Sequence, residues 1–262
     1  MSYENLSFDV AHGVARLALN RPNAANALNS DICRDLFDAT IACDERDDIR
    51  AVLLTGEGAI FSAGGDLKYF AAQGDSLGST LKEITGLLHA ALSRMAHMDA
   101  PVVGAINGMA AGAGFSLAAA CDFAIAGESA KFTLAYTAAG LSPDGSSTWY
   151  LPRLIGLRRA KELMLTNRML NADEAREIGI IDLVVPDQQL QDEAMAHAKN
   201  FAAGPTKAFG ATKRLLQETW IGGLETQMDR ETRSIVNLTR TTDAHEGIDG
   251  FVNKRKPNFK GR

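Results

Sequence analysis

The spacing of apolar residues divides the chain into short strand-like runs and longer helical stretches. Apolar and polar side chains alternate over residues 14–20, and residues 81–98 repeat apolar side chains at helical spacing. Further short apolar runs, as in buried strands, occupy residues 51–55, 102–106, 123–126 and 132–135. Because strands and helices alternate along the chain, the pattern predicts parallel α/β units.

Local residue types mark several helix ends and loops. Ser30-Asp31 can cap a helix that runs to about residue 47, and Asp66 can cap a helix that begins at Leu67. Residues 73–80 are polar and contain glycine, which predicts a mobile loop.

The last third of the chain is helical in its pattern. Helices are predicted at residues 188–201, 205–219, 224–241 and 244–253, and Gly204-Pro205 and Gly222-Gly223 separate the first three. The pattern therefore predicts two parts, an α/β core at residues 1–187 and a helical C-terminal region at residues 188–262.

Small residues follow the apolar run at 102–106. After the turn pair Asn107-Gly108, residues 112–114 read Gly-Ala-Gly and precede an apolar run at 115–120, as where a strand leads into a buried helix. The first N–H groups of a helix lack intrahelical partners and lie at its positive end. Small residues also let a ligand approach the backbone. The alternative is that these glycines serve only a tight turn and close packing.

A single carboxylate lies some thirty residues further on. Asp144 is the one acid in the turn at residues 142–147. Backbone amides that bind an anion, followed by a lone acid, suggest chemistry in which negative charge forms on oxygen while a proton moves. The alternative is that Asp144 only caps the helix that follows.

Several motifs in one order resemble the crotonase superfamily, the enoyl-CoA hydratases and isomerases. The resemblance runs over residues 14–259 and rests on NRP at 20–22, NALN at 26–29, FSAGGDL at 61–67, the stretch 101–114, CDF at 121–123, AKF at 130–132 and LPR at 151–153. It implies an α/β fold with a core of stacked ββα turns arranged as a spiral, followed by a helical region used in trimerisation.

The resemblance also implies a site. Two backbone amides, those of Gly65 and Ala113, would stabilise the enolate of a thioester, and Asp144 would act as the base. The residues implied for binding coenzyme A, as part of the substrate, are Ala25, Ala27, Ala63, Gly64, Asp66 and Leu67, with Phe251 and Lys254 of a neighbouring subunit.

Two positions depart from the hydratases of the family, which use a pair of glutamates to hold and activate water. Ser116 and Tyr136 occupy those positions, and neither hydroxyl is a base near neutral pH. Asp144 stands where single-carboxylate isomerases of the family keep their base. The function implied is therefore an acyl-CoA double-bond isomerase, either of the Δ3-to-Δ2 enoyl-CoA type or of the ring-opening type of phenylacetate breakdown.

Three alternatives stay open. One is hydration by an enoyl-CoA hydratase. Another is an aryl-CoA dehalogenase with Asp144 as nucleophile, because His89 falls at the position of the histidine that activates water in those enzymes, although Gly65 and Leu88 stand where they have aromatic residues. The third is a non-catalytic binding protein of the same fold, against which the small residues at both amide positions argue.

Composition narrows the remaining classes. The net charge of the 262 residues is −5, which argues against a nucleic-acid surface. Three unpatterned cysteines predict neither a disulfide framework nor a metal site, and no nucleotide-binding glycine motif occurs. No signal peptide or membrane-length apolar segment is evident, so the expected location is the cytoplasm. The expected partners are an acyl-CoA and copies of the same chain, as a homotrimer or dimer of trimers.

Overall fold

The computed structural model describes residues 3–262. It contains nine strands that alternate with helices over the first part of the chain. The strands are β1 (Leu6–Ala11), β2 (Val14–Leu19), β3 (Ala51–Gly56), β4 (Val102–Ile106), β5 (Met109–Ala111), β6 (Phe123–Gly127), β7 (Lys131–Thr133), β8 (Leu170–Asn171) and β9 (Leu183–Val185).

Eleven α-helices connect the strands and form the end of the described chain. They are α1 (Ser30–Glu45), α2 (Leu67–Ala71), α3 (Leu77–His97), α4 (Ala113–Ala119), α5 (Ser147–Ile155), α6 (Leu157–Thr166), α7 (Ala172–Glu177), α8 (Leu190–Ala202), α9 (Thr206–Glu218), α10 (Leu224–Leu238) and α11 (Thr242–Val252).

A six-stranded sheet forms the centre of the molecule, in the order β1-β2-β3-β4-β6-β9. Strand β1 is antiparallel to β2, and the remaining pairs are parallel. In β3, Val52 and Leu54 pack with α1 and α3, whereas Leu53 packs with α8 on the opposite face. Helices on both faces explain why β3 and β4 are uninterrupted apolar runs.

A second, three-stranded sheet has the order β5-β7-β8. Two isolated parallel bridges, Ser62↔Ala110 and Leu28↔Gly65, attach the segments around residues 28 and 62–65 to this sheet. The two segments in which the sequence places the amide pair are thereby held side by side, although about fifty residues separate them in the chain.

The sequence predictions hold for the main elements and fail at two helix starts. The cap of α1 is Asn29, which accepts the Ile32 N–H, so the prediction of Ser30-Asp31 is wrong. Asp66 caps α2 through the Tyr69 N–H, as expected. The mobile loop predicted at 73–80 is also wrong, because Gly74–Ser76 is a 3₁₀ turn and α3 begins at Leu77.

A short strand separates the turn at Asn107-Gly108 from the helix that follows it. This strand, β5, was not expected, and α4 begins at Ala113, two residues before the predicted apolar run. Glycine at position 108 is required, because its φ is +72° and a Cβ there would lie 2.1 Å from the Ala59 carbonyl oxygen.

The C-terminal helices attach to the core in different ways. Helix α8 packs its alanines on the sheet, in the same cluster as β3 and β4. Helix α9 is fixed by Lys213, whose ammonium lies 2.6 Å from the Asp122 carboxylate and donates to the Met95 and Ala100 carbonyls. Helix α10 buries no residue. The division of the chain at residue 187 stays a prediction. Among the helices after that residue, α8 packs on the six-stranded sheet.

The final residues fold back onto the molecule. The buried carboxylate of Asp243 accepts the N–H groups of Lys260 and Gly261, and Arg50 donates to the Phe259 carbonyl. No helix among residues 3–262 is both long and apolar enough to cross a membrane.

Candidate active site

Close backbone approach joins the two amide segments. Gly64 has a φ of +83°, and a Cβ on it would lie 2.6 Å from the Ala111 carbonyl oxygen and 3.1 Å from the Ala113 nitrogen. Only glycine fits this conformation and this contact. The FSAGGDL motif therefore has a local reason: its first glycine lets residues 63–65 lie directly against the start of α4.

The N–H groups of Gly65 and Ala113 are both unpaired. Neither donates a hydrogen bond to another atom of residues 3–262, and both residues line one cavity. Ala113 is the first residue of α4, where a helix leaves its N–H groups without intrahelical partners. Two free donors facing one cavity can stabilise an oxyanion.

The cavity has a volume of about 240 Å³ and is mostly apolar. Its polar side chains are those of Thr85, Tyr136, Ser142 and Asp144, and Asp144 carries the one carboxylate among the described residues that line it. The apolar side chains are those of Leu28, Ala63, Leu67, Phe70, Leu81, Ile84, Leu88, Ala113, Leu134, Ala135, Ala139 and Leu141. An apolar lining with few polar groups suits an acyl chain beside a reacting thioester.

Asp144 does not cap the helix that follows it. The N-cap of α5 is Ser146, which makes no side-chain capping bond, and the Asp144 side chain instead accepts the Tyr136 hydroxyl at 2.6 Å. The backbone carbonyl of Asp144 accepts the Ser147 N–H at 3.2 Å and the Ser147 hydroxyl at 2.9 Å. The backbone carbonyl of Asp144 thus stabilises the turn. The carboxylate takes no part in capping the helix, and Asp144 lines the cavity.

Ser116 and Tyr136, at the positions of the hydratase glutamates, both contact Asp144. The Ser116 hydroxyl lies 3.1 Å from the Tyr136 hydroxyl oxygen and 3.0 Å from the Asp144 carbonyl oxygen, and these two acceptors share its single proton. Burial, and next the negative charge of Asp144, raise the pKa of Tyr136 above its ordinary value. Tyr136 is therefore a protonated donor, and the sequence did not indicate this contact because it forms only in the tertiary structure.

His89 lies beside the same turn but faces another cavity. Its Nε2 accepts the Gly145 N–H at 3.2 Å, which is possible only while that nitrogen is unprotonated. Together with Trp149 and Gln217 it lines a cavity of about 680 Å³, to which Asp144 also contributes. The ring is exposed and does not line the apolar cavity.

The residues implied for coenzyme A lie in three places. Ala63 and Leu67 line the mouth of the apolar cavity, and both are exposed. The Asp66 carboxylate pairs with Arg21 at 3.1 Å, and Arg21 also donates to the Ala27 carbonyl. Arg21 was not singled out from the sequence, although the NRP motif contains it.

The backbone around Ala25 and Ala27 completes this region. Ala25 has a left-handed conformation, with a φ of 53°, and its carbonyl accepts the Ala63 N–H at 2.9 Å. The segment around Ala25 and the segment around Ala63, both implied for binding coenzyme A, are thus hydrogen-bonded to each other. Their role in binding stays a prediction.

Phe251 and Lys254 do not reach the cavity of their own chain. Phe251 is 88% exposed at the end of α11, and Lys254 is exposed beyond it. The sequence assigned both to a neighbouring subunit, and that assignment stays a prediction. The described residues contain no group of three or more His, Cys, Asp or Glu side chains suited to a metal ion.

Comparison with known proteins identifies the class. The model of the enoyl-CoA hydratase/isomerase family matches residues 9–262. The chain therefore belongs to this family, and its fold is of the crotonase type.

Individual relatives carry several names. Over the whole of both chains, 38% of residues are identical to a "Probable enoyl-CoA hydratase" of Rhodobacter capsulatus. A 1,2-epoxyphenylacetyl-CoA isomerase of Escherichia coli is 37% identical, over 97% of each chain. A 4-chlorobenzoyl coenzyme A dehalogenase of an Arthrobacter species is 34% identical, over 90% of this chain and 86% of that one. The family is thus shown, whereas the reaction is not decided by similarity.

Solved structures show the same fold. The enoyl-CoA hydratase of Bacillus anthracis superposes with a TM-score of 0.92 at 34% identity, covering 99% of this chain and all of that one. The agreement over nearly the full length includes the helical C-terminal region.

Proposed function

We propose that the protein is an acyl-CoA double-bond isomerase that uses Asp144 as its base and the amides of Gly65 and Ala113 as an oxyanion hole. One observation carries the proposal: Asp144, with the single carboxylate, lines the same apolar cavity as Gly65 and Ala113, whose N–H groups have no partner among residues 3–262. One carboxylate suffices for a double-bond shift, because the proton that it removes is the proton that it returns.

The reaction can be assigned to residues of the chain. Asp144 takes a proton from C2 of a 3-enoyl thioester, and the electron pair moves onto the thioester oxygen to give a dienolate. The two N–H groups stabilise that oxygen, each contributing about 3 kcal/mol by analogy with other oxyanion holes. Asp144 then returns the proton to C4, and the double bond is left between C2 and C3.

Hydration is disfavoured by the same cavity. The two-glutamate route needs a second carboxylate, and Asp144 carries the one carboxylate among the described residues that line the cavity. The two glutamate positions hold hydroxyl groups, that of Tyr136 in the lining and that of Ser116 buried next to it. The screen that decides is turnover of purified protein on 3-enoyl-, 2-enoyl- and 4-chlorobenzoyl-CoA. We expect turnover of the first, and hydration of the second without any isomerisation would refute the proposal.

The decisive variant is Asp144→Asn. Because the Asp144 side chain caps no helix, the change should leave stability nearly intact while it removes the base. We expect kcat for 3-enoyl-CoA to fall by a factor on the order of 1,000, with the affinity for an unreactive acyl-CoA unchanged. Stopped-flow kinetics and calorimetry measure the two quantities. An Asp144→Asn protein with most of its isomerase activity would contradict the role of Asp144.

Dehalogenation is the second candidate, and the position of His89 favours it. His89 contacts the residue after Asp144, and Asp144 lines the cavity of His89 as well as the apolar one. If Asp144 were a nucleophile, both Asp144→Asn and His89→Ala would abolish chloride release from 4-chlorobenzoyl-CoA. Under the isomerase proposal, His89→Ala lowers activity only as far as it loosens the turn at Gly145.

We also propose that the chain assembles as a trimer or a dimer of trimers, and that Phe251 and Lys254 of one subunit help to bind the coenzyme A of the next. Exposed apolar side chains on α10 and α11 support the first part, and Phe251 is the most exposed of these. Arg255, next to Lys254, is already paired with Glu246 and Asp249 of its own chain, so it is not part of this proposal.

A further inference from the structure

Ser116, Tyr136 and Asp144 form a closed hydrogen-bonded unit, here called the hydroxyl clamp. The Tyr136 hydroxyl donates to Oδ1 of Asp144 at 2.6 Å, and the Ser116 hydroxyl lies 3.1 Å from that of Tyr136. Ser116 is completely buried, and its remaining contacts are the backbone carbonyls of Asp144 and Gly112 at 3.0 and 3.4 Å. The chain of hydrogen bonds that starts at the Asp144 carboxylate therefore ends at two backbone carbonyl oxygens.

The clamp makes the two oxygens of Asp144 different. Oδ1 accepts the single proton of Tyr136, whereas Oδ2 has no hydrogen-bond partner among residues 3–262. Burial and the charge of Asp144 raise the pKa of Tyr136, so that the phenol stays a donor. A bond between a hydroxyl and a charged carboxylate is among the stronger hydrogen bonds in proteins. A carboxyl torsion is otherwise broad and roughly two-fold, which would interchange the oxygens.

We propose that Tyr136, supported by Ser116, is a positioning residue that confines the transferred proton to Oδ2 of Asp144. This inference rests on the proposed isomerase function. In the first step the C2–H bond breaks and an O–H bond forms on Oδ2. In the second step that O–H bond breaks and a C4–H bond forms, while the C2=C3 bond and the thioester carbonyl are completed.

The clamp also prevents the proton from leaving through Tyr136. To pass it on, the Tyr136 oxygen would need an acceptor that leads to water, but its other neighbours are the Asp144 carbonyl and Ser116, and Ser116 in turn contacts backbone carbonyls. The proton on Oδ2 accordingly returns to the substrate carbon before it exchanges with solvent. Direct transfer from C2 to C4 is the consequence that can be measured.

The test is Tyr136→Phe, with Tyr150→Phe as the matched control. Tyr150 is also partly buried, and its hydroxyl accepts the Gln217 amide at 3.2 Å without lining the apolar cavity. Single turnovers of 3-enoyl-CoA are run in D₂O, and deuterium at C4 of the product is measured. In Tyr136→Phe we expect kcat to fall about 10-fold with KM unchanged, and the deuterium fraction at C4 to rise. Tyr150→Phe should behave as the parent.

Ser116→Ala gives a second, milder variant. It keeps the Tyr136 hydroxyl and removes one support, so deuterium at C4 should rise less than in Tyr136→Phe. If kcat and deuterium incorporation are unchanged in a folded Tyr136→Phe protein, the clamp has no role in proton transfer.

A measurement without substrate separates this inference from the isomerase proposal. The melting temperatures of Tyr136→Phe, Asp144→Ala and the double variant form a cycle, because alanine removes the acceptor of the Tyr136 hydroxyl that asparagine would keep. If the parent does not act on 3-enoyl-CoA, the isomerase proposal fails, and the cycle still tests the clamp. Shifts that are not additive support the hydrogen-bonded unit, and additive shifts overturn it.

Discussion

At the scale of single residues, the ring of Phe70 occupies the space that a side chain at position 65 would need. A Cβ on Gly65 would lie 2.7 Å from Phe70 Cε2. Gly65 does not have a left-handed φ, so alanine fits its backbone and the conflict is with the ring alone. We expect Gly65→Ala to lower kcat by roughly 10- to 100-fold, because a shifted amide or ring disturbs the oxyanion hole.

Two further variants isolate that cause. Phe70→Leu in the Gly65→Ala background should recover activity, because it removes the atoms in conflict. Gly86→Ala adds a methyl group to α3 where no atom lies within 4 Å, and it should leave kcat unchanged. Steady-state kinetics on 3-enoyl-CoA measure all three. Equal losses in Gly65→Ala and the double variant would show that Phe70 is not involved.

The site could be predicted in part from individual residues. The motifs placed Gly65, Ala113 and Asp144, and the structure brings all three to one cavity. The clamp could not be predicted, because the contact between Tyr136 and Asp144 depends on how residues 137–143 fold. Phe70 carries no motif, and only the packing of α2 places it over Gly65.

At the scale of elements, the ion pair between Lys213 and Asp122 fixes α9 to the starts of β4 and β6, because Asp122 directly precedes β6 and accepts the Val102 N–H. Burial raises the pKa of Asp122, while the charge and the hydrogen bond of Lys213 act to lower it. Lys213→Met leaves a carboxylate without its cation and two carbonyls without their donor. We expect a loss of about 2 kcal/mol in the free energy of unfolding, less than for a fully buried pair, because the Lys213 side chain is 10% exposed but that of Asp122 is 28% exposed.

Lys207 provides the control on the same helix. Its ammonium lies 3.0 Å from Asp99, but the side chain is 46% exposed. Lys207→Met should change the free energy of unfolding by less than about 1 kcal/mol. Denaturant unfolding measures the free energy of unfolding of both variants. Equal losses would show that the Lys213 pair stabilises the fold no more than the exposed Lys207 pair does.

The elements most accurately predicted are those with a clear apolar pattern. Helix α3 follows from its helical repeat, which buries one face, and strands β3 and β4 follow from uninterrupted apolar runs, which are buried on both faces. Between residues 147 and 185 the sequence analysis assigned no element, although α5, α6 and α7 lie there. The start of α3 was missed because Gly78, Ser79 and Thr80 give no apolar repeat, and in this first turn Leu77 alone packs against the core.

At the scale of the whole molecule, the last residues return to close the structure. The Glu246 carboxylate accepts Arg255 and the Asn258 N–H, and the hydrogen bond of Arg255 is the main cause that lowers the pKa of Glu246 to about 2. An unpaired glutamate titrates near 4.3. The stabilisation that the charged Glu246 carboxylate gives to the folded state is therefore present above about pH 4.3, and it is lost as the pH falls toward 2.

Hydrogen exchange can follow this closure. We expect the amides of residues 258–261 to lose protection between about pH 4.3 and 2, after correction for intrinsic rates and before the sheet opens. In Glu246→Gln the protection should already be reduced at pH 7, because the charged acceptor is absent. Protection that is constant over this range in the parent would contradict the role of Glu246.

The surface of α10 bears on the assembly of the molecule. No residue of α10 is buried by its own chain, yet Leu224 and Ile235 are 68% and 66% exposed, and Trp220 just before it is 69% exposed. Light scattering should therefore give at least three times the 28.0 kDa of one chain.

Ile235→Glu should reduce this mass without unfolding the protein, because a charge on an apolar interface has no partner. Arg233→Glu, at a residue whose side chain is 76% exposed and paired with Asp229, places a glutamate at an exposed polar position of the same helix and should not reduce the mass. If Phe251 and Lys254 come from a neighbouring subunit, Ile235→Glu should also weaken acyl-CoA binding. A parent that stays a monomer of 28.0 kDa at micromolar concentration would contradict both expectations.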